Sequence, residues 1–243
     1  VMTVEAQIGE AIMLHEPMPR AARRERVLEL LRLVGIPDPE SRLKAYPPQG
    51  SGGMRQRVMI AIAVACNPRL LIADEPTTAL DVTIQAQVLD LMRQIRRTLG
   101  TAVLLISHDL GVVSELCDRV VVMYAGRVVE DADVRSLFSS PQHPYTRGLM
   151  RAVPSLDDEG GRLYQIPGSV PPPGTIRQGC PFAPRCELRM PVCVEVMPPM
   201  TQHGSTHRAA CWATASTSDG VPADAALAAR STQLMPQPQG AIS

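Results

Sequence analysis

Leu70-Leu71-Ile72-Ala73-Asp74-Glu75-Pro76 is a short apolar run closed by two carboxylates and a proline. A run of this length suits a buried strand, the kind found in parallel sheets. Acids at the C-terminal end of such a strand stand where α/β sheets bind their ligands. Asp74 suits a hard cation such as Mg²⁺, and Glu75 suits the base that polarises a water. Two adjacent acids also end many strands without any role. Here Pro76 and the Thr77-Thr78-Ala79-Leu80-Asp81 that follows favour a built site.

Outward from this strand the pattern alternates. Ile84, Val88, Leu91, Met92, Ile95 and Leu99 mark one face of a helix that ends at Gly100, and Ala102–Ser107 is a second apolar strand. His108 follows that strand directly, one strand on from Asp74 and Glu75, in reach of a terminal phosphate or an attacking water. Leu110–Cys117 suits a helix, and Arg119–Tyr124 with Arg127–Glu130 suits a hairpin turned at Ala125-Gly126. Upstream, Arg24–Val34 reads as a helix stopped by Gly35 and Pro37. Ser51-Gly52-Gly53 opens another helix. A hydroxyl cap and two residues without side chains leave amides facing outward at the positive end of the helix dipole, which favours a phosphate; an ordinary serine cap is the plainer reading. The expected fold class is α/β, with a parallel sheet covered on both faces.

Composition narrows the function. The chain has 243 residues with 24 Lys+Arg against 24 Asp+Glu, so charge gives no reason to expect nucleic acid or anionic lipid as partner. Its longest apolar run, Val58–Cys66, is far below the roughly 20 residues that cross a bilayer, and no signal-peptide pattern opens the chain. Lys44 is the single lysine and is not preceded by glycine, so the phosphate-binding loop G-x-x-x-x-G-K-[ST] is absent from these residues.

Prolines gather after residue 140, which divides the expected organisation into 1–140, a Pro/Cys-rich appendage at 141–212, and a tail at 213–243 that reads as disordered. Cys180, Cys186, Cys193 and Cys211 lie in a segment poor in large apolar residues, where four thiolates suggest a metal staple. Zinc favours closer Cys-x₂₋₄-Cys pairs, so this wider spacing leans towards an iron–sulfur cluster, with zinc or free thiols as alternatives. Cys66 and Cys117 read as core, and His203 and His207 as loop residues.

Together these residues resemble the second half of an ATP-binding cassette ATPase. Ser51-Gly52-Gly53-Met54-Arg55-Gln56-Arg57 is similar to the family signature, Leu70–Glu75 to its Walker B strand, Ala79-Leu80-Asp81 to its D-loop and His108 to its switch histidine. Asp74-Glu75-Pro76-Thr77-Thr78-Ala79-Leu80-Asp81-Val82-Thr83-Ile84-Gln85-Ala86-Gln87 and His143-Pro144-Tyr145-Thr146-Arg147-Gly148-Leu149 resemble the dipeptide/oligopeptide importer branch in particular. That branch carries a similar Cys-Pro-Phe-x-Pro-Arg-Cys segment implicated in binding a [4Fe-4S] cluster.

The resemblance implies a partial cassette fold: a helical subdomain and a parallel-sheet core lacking its N-terminal strands, with the phosphate loop and glutamine loop falling upstream of Val1. It implies ATP and Mg²⁺ as ligands, and composite sites in which Ser51, Gly52, Gly53 and Gln56 serve nucleotide held by a second cassette, identical or paralogous. It further implies two membrane permease subunits, indirect coupling to a solute-binding protein, and a place at the cytoplasmic face of the membrane. The alternatives are a non-catalytic signature-donating or decayed fragment and a soluble cassette of nucleic-acid metabolism. One departure stands out: Tyr46-Pro47-Pro48-Gln49-Gly50 replaces the branch's usual Tyr-Pro-His-Glu-Leu, which removes an apolar anchor just before the signature.

Overall fold

The computed structural model describes residues 2–78, 80–153, 164–172, 174–175 and 178–215. The tail expected at 213–243 therefore lies, from 216 onward, outside the described residues, as does Ala79. The chain forms two compact units, Val1–Leu116 and Cys117–Ser243.

The first unit is mainly helical. Helix α1 (Val4–His15) is capped by Thr3, whose hydroxyl accepts from the Ala6 amide at 3.3 Å, and buries Val4, Ile8 and Ile12 at spacings of four. Helix α2 (Arg20–Leu33) buries Val27, Leu28, Leu30 and Leu31, and Gly35 then turns the chain at φ 69°, a conformation that suits glycine. A single turn, α3 (Pro39–Arg42), and α4 (Gly52–Val64) complete this packing, with Leu43, Ala61 and Val64 in its core.

Strand β1 (Leu70–Asp74), helix α5 (Val82–Leu99), strand β2 (Ala102–Ile106) and helix α6 (Leu110–Leu116) follow. The strands pair in parallel from Leu70↔Ala102 to Asp74↔Ile106. Asp81 caps α5 by accepting from the Ile84 amide at 2.9 Å, and Gly100 closes it in the left-handed region with its amide on the Arg96 carbonyl. The expected cover on both sheet faces is corrected. Leu71 and Ala73 join the helical core, but Ile72 is 60% and Leu104 49% exposed on the opposite face. The helices of this unit supply apolar cover to one face only, while the strands are apolar on both.

The second unit is built on an antiparallel sheet of order β3-β4-β6-β5, from strands β3 (Arg119–Tyr124), β4 (Arg127–Asp133), β5 (Thr201–Gln202) and β6 (Arg208–Ala209). The β3–β4 hairpin turns where expected, with Ala125 and Gly126 both at positive φ, the demand of a type I′ turn. Asp133 ends β4 and caps α7 (Val134–Ser139), taking the Ser136 amide at 2.9 Å and the Ser136 and Thr206 hydroxyls at 2.6 Å each. Helices α8 (Pro144–Arg151) and α9 (Val192–Glu195) complete the unit.

The Pro/Cys-rich segment draws part of its core and sheet pairing from residues outside it. Strand β6 pairs with β4 through Glu130↔Ala209, and Phe182 packs against Tyr124 and Tyr145 of the hairpin unit at ring distances of 5.2 and 5.4 Å. Tyr124 and strand β4 lie outside the segment, where its own composition does not reveal them.

Candidate functional site

The parallel register sets the catalytic-type residues side by side. Asp74 ends β1 opposite Ile106, which ends β2, so Glu75 and His108 both emerge at the C-terminal edge of the pair. Glu75 has φ 46°, a left-handed conformation that a non-glycine residue holds only when its surroundings enforce it. Three bonds do so here. Its amide donates to the Ile106 carbonyl at 2.9 Å, one carboxylate oxygen accepts from the Thr78 hydroxyl at 2.8 Å, and the other lies 3.1 Å from Nδ1 of His108. The Thr78 hydroxyl, and after it His108, hold the Glu75 carboxyl below the usual carboxylate range, so it carries charge at neutral pH. Asp74 is exposed beside it, open to a cation.

Ser51 caps α4 as its sequence suggests, its hydroxyl accepting from the Met54 amide at 3.3 Å. The amides of Gly52 and Gly53 fall in the first turn, where no intrahelical acceptor exists. Gln56, one turn on, reaches back to the acidic loop: its side-chain amide donates to the Pro76 carbonyl at 2.7 Å. Thus Gln56 ties the glycine-rich helix start to the loop carrying Glu75. Asp81 is a helix cap, and the residues around it abut the same helix start, with Leu80 next to Gly52 and Ile84 next to Gly53.

A Cβ at Gly53 would lie 2.9 Å from Cγ2 of Ile84, inside normal contact. We expect Gly53→Ala to lower stability by about 1–3 kcal/mol as an overpacking change, despite the better helix propensity of alanine. Denaturant unfolding of Gly53→Ala and of Gly53→Ala/Ile84→Ala checks this, because removing the Ile84 methyls should restore part of the loss.

Of the predicted residues, Asp74, Glu75 and His108 form one group, and Ser51, Gly52, Gly53, Gln56 and Asp81 a second, bridged by the Gln56–Pro76 bond. The sequence reading missed Thr78 as the partner of Glu75; its threonine hydroxyl three residues past the acid was the available signal.

Comparison with known proteins gives the arrangement its relatives. Residues 2–78 match the family model described as ABC transporter, and residues 129–193 match that described as Oligopeptide/dipeptide transporter, C-terminal region. The chain is 53% identical over 211 residues to the dipeptide transport ATP-binding protein DppD of Bacillus subtilis, covering 87% of this chain and 63% of that protein. It is 53% identical over 212 residues to the oligopeptide transport ATP-binding protein AppD of the same organism, covering 87% and 65%. Over most of its length the chain is similar to the dipeptide/oligopeptide branch of the ATP-binding cassette family. It spans just under two thirds of the length of these relatives. Among solved structures, cbiO1 of Clostridium perfringens, part of the ABC transporter complex cbiONQ, is similar at a TM-score of 0.51 and 28% identity, over 57% of this chain and 53% of that one. The mixed α/β cassette fold is thus shared.

The cysteine segment forms a group apart. Cys180, Cys186, Cys193 and Cys211 line one small cavity, with Phe182 and Trp212 on its wall. Burial above all pushes the Cys180 thiol up to about 11 and the Cys186 thiol up to about 12, with backbone amides opposing and the neighbouring cysteines contributing to the rise. Four soft donors that resist ionisation together fit a positively charged centre in type. As they stand, however, no group of three or more His, Cys, Asp or Glu side chains among the described residues is arranged to hold a metal. Cys66 and Cys117, expected in the core, are only partly buried.

The loop reading of the two histidines holds, and the structure adds a buried contact to it. His203 and His207 do lie in the turn between β5 and β6, but His207 is buried, with Nε2 at 2.6 Å from Oε1 of a wholly buried Glu130. The same carboxylate accepts from the amides of Gln142 at 2.6 Å and His143 at 3.0 Å. Nothing in local sequence announces a pair separated by 77 positions.

Proposed function

We propose that this chain is part of the nucleotide-binding subunit of a peptide importer and supplies both a signature face and a set of hydrolytic residues to ATP bound with Mg²⁺ between two cassettes. The observation that carries the reading is the triad of contacts holding Glu75 between Thr78 and His108 at the sheet edge. Glu75 would orient and deprotonate the attacking water, His108 would hold Glu75 and face the terminal phosphate, and Asp74 would take the Mg²⁺. Ser51 with the Gly52 and Gly53 amides would stabilise phosphate charge on the partner cassette's nucleotide. Its partners would be a second cassette and two membrane permeases fed by a solute-binding protein. In that complex the chain lies at the cytoplasmic face of the membrane; no described helix is long and apolar enough to cross it.

Because no Gly-Lys pair occurs in these residues, the phosphate loop at each nucleotide must come from outside them. Photocrosslinking of ATP to the chain, with and without a partner cassette, tests the division of labour. Labelling that requires the partner supports signature donation; labelling that needs no partner overturns it.

For the cysteine group we propose a metal staple, an iron–sulfur cluster before zinc, held by Cys180, Cys186, Cys193 and Cys211. Such a centre would cross-link the segment and take no part in hydrolysis. Purified protein is expected to contain iron and acid-labile sulfide, and Cys180→Ser to lose both. Metal content unchanged by that substitution would remove Cys180 from the ligand set, and zinc alone would replace the cluster.

A further inference from the structure

A cavity of about 260 Å³ lies among α1, the end of α2 and the stretch that leads into α4. Val4, Leu31, Ile36, Met54 and Val58 give it a hydrocarbon wall. Two cations, Arg42 and Arg55, also line it, and no acidic side chain does. Nε of Arg42 is buried and has no hydrogen-bond acceptor among the described residues. Buried N–H groups are nearly always paired, so an orphan beside an apolar cavity marks the place of a missing acceptor. Neither arginine takes part in an ion pair among the described residues.

Gly50 borders the cavity in extended backbone, φ −95° and ψ 155°, which any residue adopts. A Cβ there would meet Met54 at 3.4 Å and the Pro47 carbonyl at 3.5 Å, ordinary contacts. The glycine is therefore not demanded by the backbone, and its missing side chain leaves the cavity wall open.

We propose that this cavity binds a small amphipathic carboxylate, with a compact aromatic or branched hydrocarbon body against Leu31, Ile36 and Val58 and the carboxylate on Arg42, facing Arg55. Size sets the class. Ligand pockets usually measure roughly 300–1,000 Å³, so this smaller one takes a single-ring acid rather than a nucleotide or a peptide. Charge sets the polarity, since two guanidinium groups without an ion-pair partner and no carboxylate in the cavity lining favour an anion.

Isothermal titration of the 243-residue chain with phenylbutyrate, and with phenylbutanol as its uncharged counterpart, tests this. The acid is expected to bind about tenfold or more tighter than the alcohol. Arg42→Gln should bring the two ligands level. Gly50→Leu, which places a side chain at the cavity wall, should weaken the acid by about tenfold while circular dichroism stays that of the parent. Equal binding of acid and alcohol by the parent chain, a preference that survives Arg42→Gln, parent-like affinity in Gly50→Leu, or no saturable heat up to about 10 mM would each overturn the proposal.

Discussion

Glu130→Ala is expected to cost the Cys117–Ser243 unit about 3–5 kcal/mol, because it strips the acceptor from three buried donors at roughly 1–3 kcal/mol each. The Glu130 side chain is wholly enclosed and accepts three bonds, from the Gln142 amide, the His143 amide and His207 Nε2. Alanine would leave two backbone donors and an imidazole without the acceptor they share. Against a typical total stability of 5–15 kcal/mol, roughly, such a loss is large enough to release the C-terminal strands.

Urea unfolding followed through Trp212 is a direct measurement, because this tryptophan lies buried in the same unit and its ring N–H bonds the Val196 carbonyl at 3.0 Å. The chain has a single tryptophan, so the signal belongs to this unit alone. Hydrogen exchange at the Gln142 and His143 amides should rise in the same variant. His207→Gln keeps the carboxylate's two backbone donors and should cost clearly less. Equal losses in the two variants would mean that the imidazole, not the carboxylate's bonds to the α8 entry, dominates.

How much of this was legible in the sequence depended on how far apart the partners lie. The cap of α4 at Ser51, the end of α5 at Gly100 and the Ala125-Gly126 turn are all set within a few residues, and each stands where the pattern put it. The two parallel strands were equally readable from their apolar runs, yet the runs could not say which face would be covered, and Ile72 and Leu104 proved open. Helix α1 received no reading, although Val4, Ile8 and Ile12 recur at helical spacing. Partners set by tertiary packing stayed hidden. Gln56 finding Pro76 and His207 finding Glu130 depend on the chain's return from 20 and 77 positions away. Short β5 and β6 belong to the same class, since two-residue strands carry no periodicity of their own.

Glu75→Gln, in a complete version of the protein that includes the phosphate loop, is expected to leave ATP binding and cassette closure intact while lowering hydrolysis by about 10²–10⁴-fold, the usual worth of a general base. Glutamine preserves the size of the side chain and one acceptor oxygen, so Thr78 or His108 can still hold it in place. What it removes is the negative charge and the basicity. The Thr78 hydroxyl and His108 keep the parent carboxyl ionised at neutral pH, so the parent base is lost only as pH falls through a value below the ordinary carboxylate range. The acid limb of the rate profile should therefore lie low, and in Glu75→Gln it should vanish with the base. Thr78→Ala supplies the contrast: it retains the carboxylate but frees one oxygen to rotate, so it should reduce turnover less than the glutamine change while raising that acid limb. Radiolabelled nucleotide retained on the closed complex, measured beside steady-state phosphate release, separates binding from chemistry. Unchanged phosphate release in Glu75→Gln would take the base role away from this residue and leave the sheet edge with a purely structural clasp between Glu75, Thr78 and His108.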